Sequence, residues 1–163
     1  MDNIEKELFE QIKEESAYEM ATNLRQATLK VMDRADSLLE HFLKVVFYTN
    51  DINQNKWRNE MATRITECGR LKNTSTNKKF DKKVYHLLFT TLCSNPEELG
   101  EQAEAYYREF LIEGYGELDF NSIDFNNLYN RYMELAEKSL ALMIDKKIYT
   151  REDYRGIIDV VLK

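Results

Sequence analysis

The sequence has little of what tight turns, disulfide scaffolds and membrane spans require. Its 163 residues include one proline and five glycines, too few for the many turns of a β-rich protein. Cys68 and Cys93 lie far apart, which argues against a disulfide scaffold and predicts two reduced, buried thiols. No apolar run approaches the ~20 residues that cross a bilayer, and the acidic N-terminus lacks the regions of a signal peptide. We therefore expect a helical protein of the cytoplasm.

Motifs for catalysis, metals and cofactors are also missing. Neither His41 nor His86 has the glutamate three positions earlier that a helical di-iron site needs. The cysteines and histidines do not cluster as zinc ligands do, and no glycine-rich phosphate loop or nucleophile elbow occurs. We interpret the spacing from Arg34 to His41 as one step too long for small helical ribonucleases of the toxin type. The sequence thus predicts no catalytic residue, metal or cofactor, and it disfavours a nuclease or toxin.

What the chain does have is helical periodicity. Hydrophobic residues make up 43% of the sequence and charged residues 32%, a composition typical of a folded domain. Apolar residues recur at steps of three and four without proline or glycine through position 48, which is typical of one face of a long helix. They are Met20, Leu24, Ala27, Val31, Ala35, Leu38, Phe42 and Val45. We expect a helix over about 17–48 that serves as a spine for the others.

Local signals mark several further helix ends. Asn95 followed by Pro96 predicts a helix start, the GYG at 114–116 predicts a stop, and Thr150 with Asp153 resembles a capping box. The sequence predicts a single all-α domain over 1–163, a bundle of six or seven mostly antiparallel helices with a hinge or loop at 73–78. Its predicted core contains Leu24, Val31, Leu38, Phe42, Trp57, Met61, Ile65, Leu88, Phe110, Leu128, Tyr132 and Ile157.

Charge is segregated along the chain. The segment RLKNTSTNKKFDKKVYH at 70–86 carries one acid, Asp81, and six basic residues, whereas 96–124 carries nine acids and one basic residue, Arg108. The six are Arg70, Lys72, Lys78, Lys79, Lys82 and Lys83. Exposed ion pairs add only about 0–1 kcal/mol each, so stability alone explains this segregation poorly. The two segments either lie side by side and neutralise each other, or lie apart and serve charged partners.

These features favour a non-enzymatic interaction module, such as a bacterial or phage accessory, adaptor or inhibitor protein. The acidic segment is rich in aromatic residues, and tyrosine is enriched at interface hot spots. The predicted partner-binding residues are Glu101, Glu104, Tyr107, Glu109 and Tyr115. The alternative is a small helical subunit that contacts nucleic-acid phosphates through the six basic residues of 70–86, although a net charge of −6 opposes this. A homo-oligomer fits either hypothesis.

Overall fold

The computed structural model of the protein describes residues 26, 28–73, 83–145 and 149–163, with the backbone alone at 70–73. By its contacts the chain divides into two units, residues 1–30 and 31–163. Of the first unit, residues 26 and 28–30 are described, and they are helical.

The regular structure of the described residues is entirely helical, which confirms the predicted all-α class. A first helix, α1, covers 31–47, and the stretch of the predicted spine helix before residue 26 lies outside the described residues. None of the described helices has the length and apolarity that a bilayer crossing demands. The other elements are α2 (Gln54–Asn73), α3 (83–90, with a π-helical turn at His86–Thr90), α4 (Pro96–Glu113), a 3₁₀ turn (Phe120–Ser122), α5 (Phe125–Ile144) and α6 (Arg151–Val161).

The helix ends follow the local chemistry that predicted them. The Asn95 side chain accepts a hydrogen bond from the backbone amide of Glu98 at 2.8 Å, and Pro96 occupies the first turn of α4. Gly114 ends α4 at a φ of 91°, a left-handed conformation that glycine adopts without strain. At the start of α6 the Asp153 carboxylate accepts hydrogen bonds from the Thr150 amide at 2.8 Å and the Thr150 hydroxyl at 3.0 Å.

The predicted core is buried with one exception. Ten of the predicted residues are at most 6% exposed, and they are Val31, Leu38, Phe42, Trp57, Met61, Ile65, Leu88, Phe110, Leu128 and Tyr132. Leu24 lies outside the described residues. Ile157 is only half-buried, so its prediction as a core residue was wrong. Its face of α6 forms a wall of an open groove against α5, whereas Tyr154 and Ile158 carry the buried face.

Polar contacts join α2 to α6 along the edge of this core. Arg58 donates to the Asp159 carboxylate at 3.0 Å and to the backbone carbonyl of Leu162 at 2.8 Å, which ties down the C-terminal end of α6. A Cβ added at Gly69 would lie 3.0 Å from the Tyr154 hydroxyl oxygen. The missing side chain at Gly69 therefore lets α6 approach α2 closely.

One buried hydroxyl gives a direct test of core packing. Ser139 on α5 is 0% exposed, and its Oγ has no hydrogen-bond partner among the described residues. A buried polar group without a partner costs about 1–3 kcal/mol, and alanine is also the better helix former. We expect Ser139→Ala to raise the free energy of unfolding by about 1 kcal/mol in urea titrations. Ser37→Ala is the matched control, because Ser37 Oγ accepts a hydrogen bond from Arg64 at 3.1 Å. This substitution removes the hydrogen bond and should lower the free energy of unfolding. Equal losses in both variants would contradict the prediction.

Candidate functional site

The side of α4 that faces away from the core carries two of the five predicted partner-binding residues, and a third lies on its flank. Helical spacing places Glu97, Glu101, Glu104, Arg108 and Ile112 on one stripe, which we call the α4 outer face. The opposite stripe is buried and consists of Leu99, Ala103, Tyr106 and Phe110. Glu101 and Glu104 are exposed, as is Glu109 on the flank of the α4 outer face. None of these three carboxylates forms an ion pair with a described residue.

The α4 outer face ends in exposed apolar side chains. Ile112 is 87% exposed, and its neighbour Leu111 is 40% exposed. Single exposed apolar residues are common on protein surfaces. Here the exposed pair lies within two turns of Glu104 and Glu109, which form no ion pair with a described residue, and Arg108 lies beside them on the same stripe. An apolar contact framed by unpaired charges resembles the centre and rim of a protein–protein interface.

The two predicted tyrosines are engaged inside the molecule instead of projecting freely. Both are half-buried. The Tyr107 hydroxyl accepts a hydrogen bond from the Leu118 amide at 3.0 Å, and the Tyr107 ring meets the Phe120 ring edge-on at 4.7 Å between centroids. Tyr115 packs on Trp57 at 5.2 Å between ring centroids. Their contribution to partner binding stays a prediction, and what the geometry shows is that both hold the 114–120 loop against the helices.

A buried lysine fixes the C-terminal end of α4 to α1. Lys44 is 7% exposed, and its ammonium lies 3.0 Å from a Glu113 carboxylate oxygen and 3.3 Å from Glu40. The ammonium also lies over the rings of Phe110 and Tyr115, 5.4 and 5.2 Å from their centroids. Burial is the largest single influence on the pKa of Lys44 and lowers it, but the two carboxylates together raise that pKa above its ordinary value. The sequence does not predict that Lys44 is buried, because a lysine near the end of a helix is normally exposed to solvent.

A second contact holds the middle of α4. The Tyr106 hydroxyl donates a hydrogen bond to the Asp36 carboxylate on α1. Burial first, and this hydrogen bond second, raise the pKa of Tyr106 well above its usual range. With Lys44, the contact fixes the inner face of α4 and so presents the α4 outer face on a supported helix.

Only part of the basic segment falls within the described residues. Lys83 at the start of α3 is exposed and forms no ion pair with a described residue. Arg70 and Lys72 belong to α2, but their side chains lie outside the description, as do Lys78, Lys79 and Lys82 entirely. The phosphate-binding role of these six residues, and the hinge at 73–78, therefore stay predictions.

The spacing from Arg34 to His41 fits the ribonuclease pattern, so the interpretation that it is one step too long was wrong. Six residues, 35–40, separate Arg34 from His41, so the pair lies at the limit of the four-to-six-residue ribonuclease pattern and not beyond it. Helical spacing places both on the face of α1 that meets α2. There Arg34 is ion-paired with Glu67, and His41 Nε2 lies 2.5 Å from a Glu60 carboxylate oxygen. The contacts, and not the spacing, are what set this pair apart from a free catalytic pair.

Ser37 and His41 also resemble part of a hydrolytic triad, but the hydrogen bonds oppose that role. Ser37 Oγ lies 3.4 Å from His41 Nδ1, whereas the Ser37 carbonyl oxygen lies only 2.6 Å from the same nitrogen. Nδ1 therefore donates to the carbonyl and is not free to take a proton from the hydroxyl. No group of three or more His, Cys, Asp or Glu side chains suited to a metal occurs within the described parts of the chain.

An open groove lies between α5 and α6. It encloses about 570 Å³, and its apolar walls include Leu142, Ile157 and Val160. Lys138 and Asp153 stand at its rim with opposite charges. The groove therefore does not favour a ligand of either charge.

Comparison with known proteins adds no assignment for any of these surfaces. No family model matches this chain, and neither a curated protein nor a solved structure matches it.

Proposed function

We propose that the protein is a non-enzymatic interaction module that binds another protein through the α4 outer face. The observation that carries this proposal is a row of exposed glutamates that form no ion pair with a described residue. The row is followed on the same stripe by Arg108 and by the 87% exposed side chain of Ile112. A carboxylate row alone would be an ordinary solvated face. An exposed isoleucine beside it adds apolar surface that a partner would remove from water.

The chemistry of the surface defines the partner. Glu101, Glu104 and Glu109 favour a partner that presents lysines or arginines around a shallow apolar recess for Ile112. Long-range attraction between the two surfaces would speed their encounter and make it sensitive to salt. Burial of Ile112 would slow dissociation, because centrally buried apolar anchors carry much of the binding energy of an interface.

The rest of the proposal concerns the support behind α4. A bundle of mostly antiparallel helices around a spine helix at about 17–48 would keep the α4 outer face rigid, and Lys44 and Tyr106 are the contacts that support such a role. In this proposal Tyr107 and Tyr115 position the 114–120 loop beside the partner. The module acts in the cytoplasm as an accessory, adaptor or inhibitor protein.

The test compares two charge-reversal variants by affinity capture from the native cell. Glu101→Lys with Glu104→Lys should reduce capture of the partner at least 10-fold, and Ile112→Ser should reduce it by a similar factor. The matched control is Glu134→Lys with Glu137→Lys, which reverses two exposed carboxylates on α5 and should leave capture unchanged. If both charge reversals weaken capture equally, net charge and not the α4 outer face explains the binding, and the proposal fails.

Nuclease treatment and cleavage assays separate the other functions. Capture that nuclease abolishes would favour the alternative, contact with phosphates through the basic segment. In that case binding to an oligonucleotide should fall with salt at a log–log slope of roughly −3 to −4 and be lost on changing Lys78, Lys79, Lys82 and Lys83 to alanine. RNA cleavage that Arg34→Ala abolishes would favour the disfavoured ribonuclease class. A partner that proves to be a second copy of the chain would make the surface a homo-oligomer interface.

A further inference from the structure

His41 lies between two groups that only accept hydrogen bonds. Its Nδ1 lies 2.6 Å from the backbone carbonyl oxygen of Ser37, one turn earlier on α1. Its Nε2 lies 2.5 Å from a carboxylate oxygen of Glu60 on α2. The His41 side chain is 12% exposed, so water has little access to it. Both ring nitrogens are therefore held against oxygen atoms, Nδ1 within α1 and Nε2 on α2.

A neutral imidazole cannot satisfy this arrangement. It carries one N–H group, so one of its nitrogens would point a lone pair at an oxygen lone pair. Two donated hydrogen bonds require a proton on each nitrogen. We propose that His41 is a proton-dependent clamp: the protonated ring joins α1 to the Glu60 carboxylate of α2, and release of the proton to solvent weakens the contact between the two helices.

The charges around the clamp come from both helices. On α1, Arg34 is ion-paired with Glu67, and Lys44, one turn beyond the ring, is committed to Glu40 and Glu113. On α2, Arg64 donates to Ser37 Oγ at 3.1 Å and lies 3.3 Å from Glu67. The two guanidinium groups are matched by two carboxylates, because Arg34 also pairs with Asp33 at 2.6 Å. Glu60 forms no other ion pair with a described residue, so its negative charge can interact with the imidazolium of His41.

The direction of the pH effect follows from the bound proton. Both hydrogen bonds of the clamp exist only while each ring nitrogen carries a proton. The clamp therefore stabilises the fold fully in mildly acidic solution, and its contribution declines as the pH rises and the proton leaves. Loss of the clamp should affect α1 and α2 first, because those are the helices it joins.

The chain contains its own control histidine. His86 is exposed, and its Nδ1 lies 2.7 Å from the Thr90 hydroxyl. A hydroxyl both donates and accepts hydrogen bonds, so it suits a neutral ring as well as a charged one. His41 and His86 can be told apart by changing either one to glutamine.

The decisive measurement is the ring-nitrogen NMR spectrum of the intact protein at pH 7. We expect both His41 nitrogens to resonate as in an imidazolium ion, because each of them donates a hydrogen bond. Glu60→Gln should restore neutral ring signals to His41, because the glutamine amide can donate to an unprotonated Nε2. Two distinct nitrogen environments for His41 in the unaltered protein, typical of a neutral tautomer, would overturn the proposal.

Unfolding experiments provide the second readout. The destabilisation caused by His41→Gln should be larger at pH 6 than at pH 8.5, whereas His86→Gln should show no such trend. Glu60→Gln should remove most of the pH dependence over the same interval without abolishing the fold. A His41→Gln effect that is constant between pH 6 and 8.5 would mean that the contact is merely structural, and it would also overturn the clamp.

Discussion

Replacing Lys44 with alanine should lower the free energy of unfolding by about 2–4 kcal/mol. The change removes the common partner of Glu40 and Glu113 and leaves two carboxylates at the junction of α1 and α4 without their cation. Breaking a fully buried ion pair from one side costs about 3–5 kcal/mol. The lower range applies here because the Glu113 side chain is 43% exposed and water can solvate it after the change. The contacts of the lysine with the rings of Phe110 and Tyr115 add to the loss.

Two further variants separate the charge from the packing. Lys44→Met keeps most of the apolar stem and should recover roughly half of the loss, since long side chains of similar shape are exchanged with small cost. Lys138→Ala is the matched control, because Lys138 also pairs with a glutamate one turn earlier. In that pair, however, the lysine and the glutamate are both about half-exposed. Exposed pairs of this type contribute about 0.3–0.5 kcal/mol. If urea titrations show that Lys44→Ala and Lys138→Ala lower the free energy of unfolding equally, then the burial of Lys44 does not contribute to stability.

The contrast between these lysines shows what the sequence could and could not predict. Helix ends at Asn95, Gly114 and Thr150 are decided by hydrogen bonds within a few residues, so the sequence alone predicted them correctly. The buried stripes of α1 and α2 were equally readable, because helical spacing fixes which side chains share a face. Lys44 follows neither rule. Its burial depends on Glu113 and Tyr115, which lie about seventy residues further along the chain. No local sequence pattern predicts a contact over that distance.

The incomplete burial of Ile157 has the same origin. Ile157 fits an inward stripe of α6, but α5 does not cover it, and the width of the groove between two helices is not encoded in the periodicity of either. Tyr107 and Tyr115 fit no inward stripe, yet both are half-buried because the 114–120 loop folds back over them. The sequence around His41 contains no motif that points to Glu60. The contact of His41 with Glu60 became visible only once α1 and α2 were placed side by side.

The second large effect should appear in alkaline solution, where stability should fall by about 4–6 kcal/mol between pH 8.5 and 10.5. Burial is the main cause that raises the pKa of Cys68 and of Cys93 to about 12, from an ordinary value of 9.0. Burial also raises the pKa of Tyr106, Tyr132 and Tyr154 well above the ordinary value of 10.0. All five groups are neutral in the folded protein at a pH where the unfolded chain ionises them.

The sign of the effect is the same for every one of these groups. Below about pH 8.5 both states are protonated, and the contribution to stability is fully present. Above the ordinary value the unfolded chain releases a proton that the folded chain retains, so each group costs up to about 1.4 kcal/mol per pH unit until its folded pKa is reached. Lys44, whose pKa is also raised, adds a loss of the same direction above pH 10.5. Urea midpoints measured in reducing buffer at half-unit steps of pH would give this slope.

The thiols should dominate the first part of the curve, because they ionise about one pH unit before the tyrosines. A Cys68→Ala and Cys93→Ala double variant should be less stable at pH 7, since each change leaves a small cavity. Between pH 8.5 and 9.5, however, its stability should fall with less than half the slope of the unaltered protein.

In the unaltered protein, neither thiol should react with an aromatic disulfide reagent at pH 8 until urea unfolds the chain, because the reactive species is the thiolate. Rapid labelling of folded protein, or an unchanged slope in the double variant, would mean that general charge repulsion at high pH, and not the burial of these two thiols, drives the alkaline loss of stability.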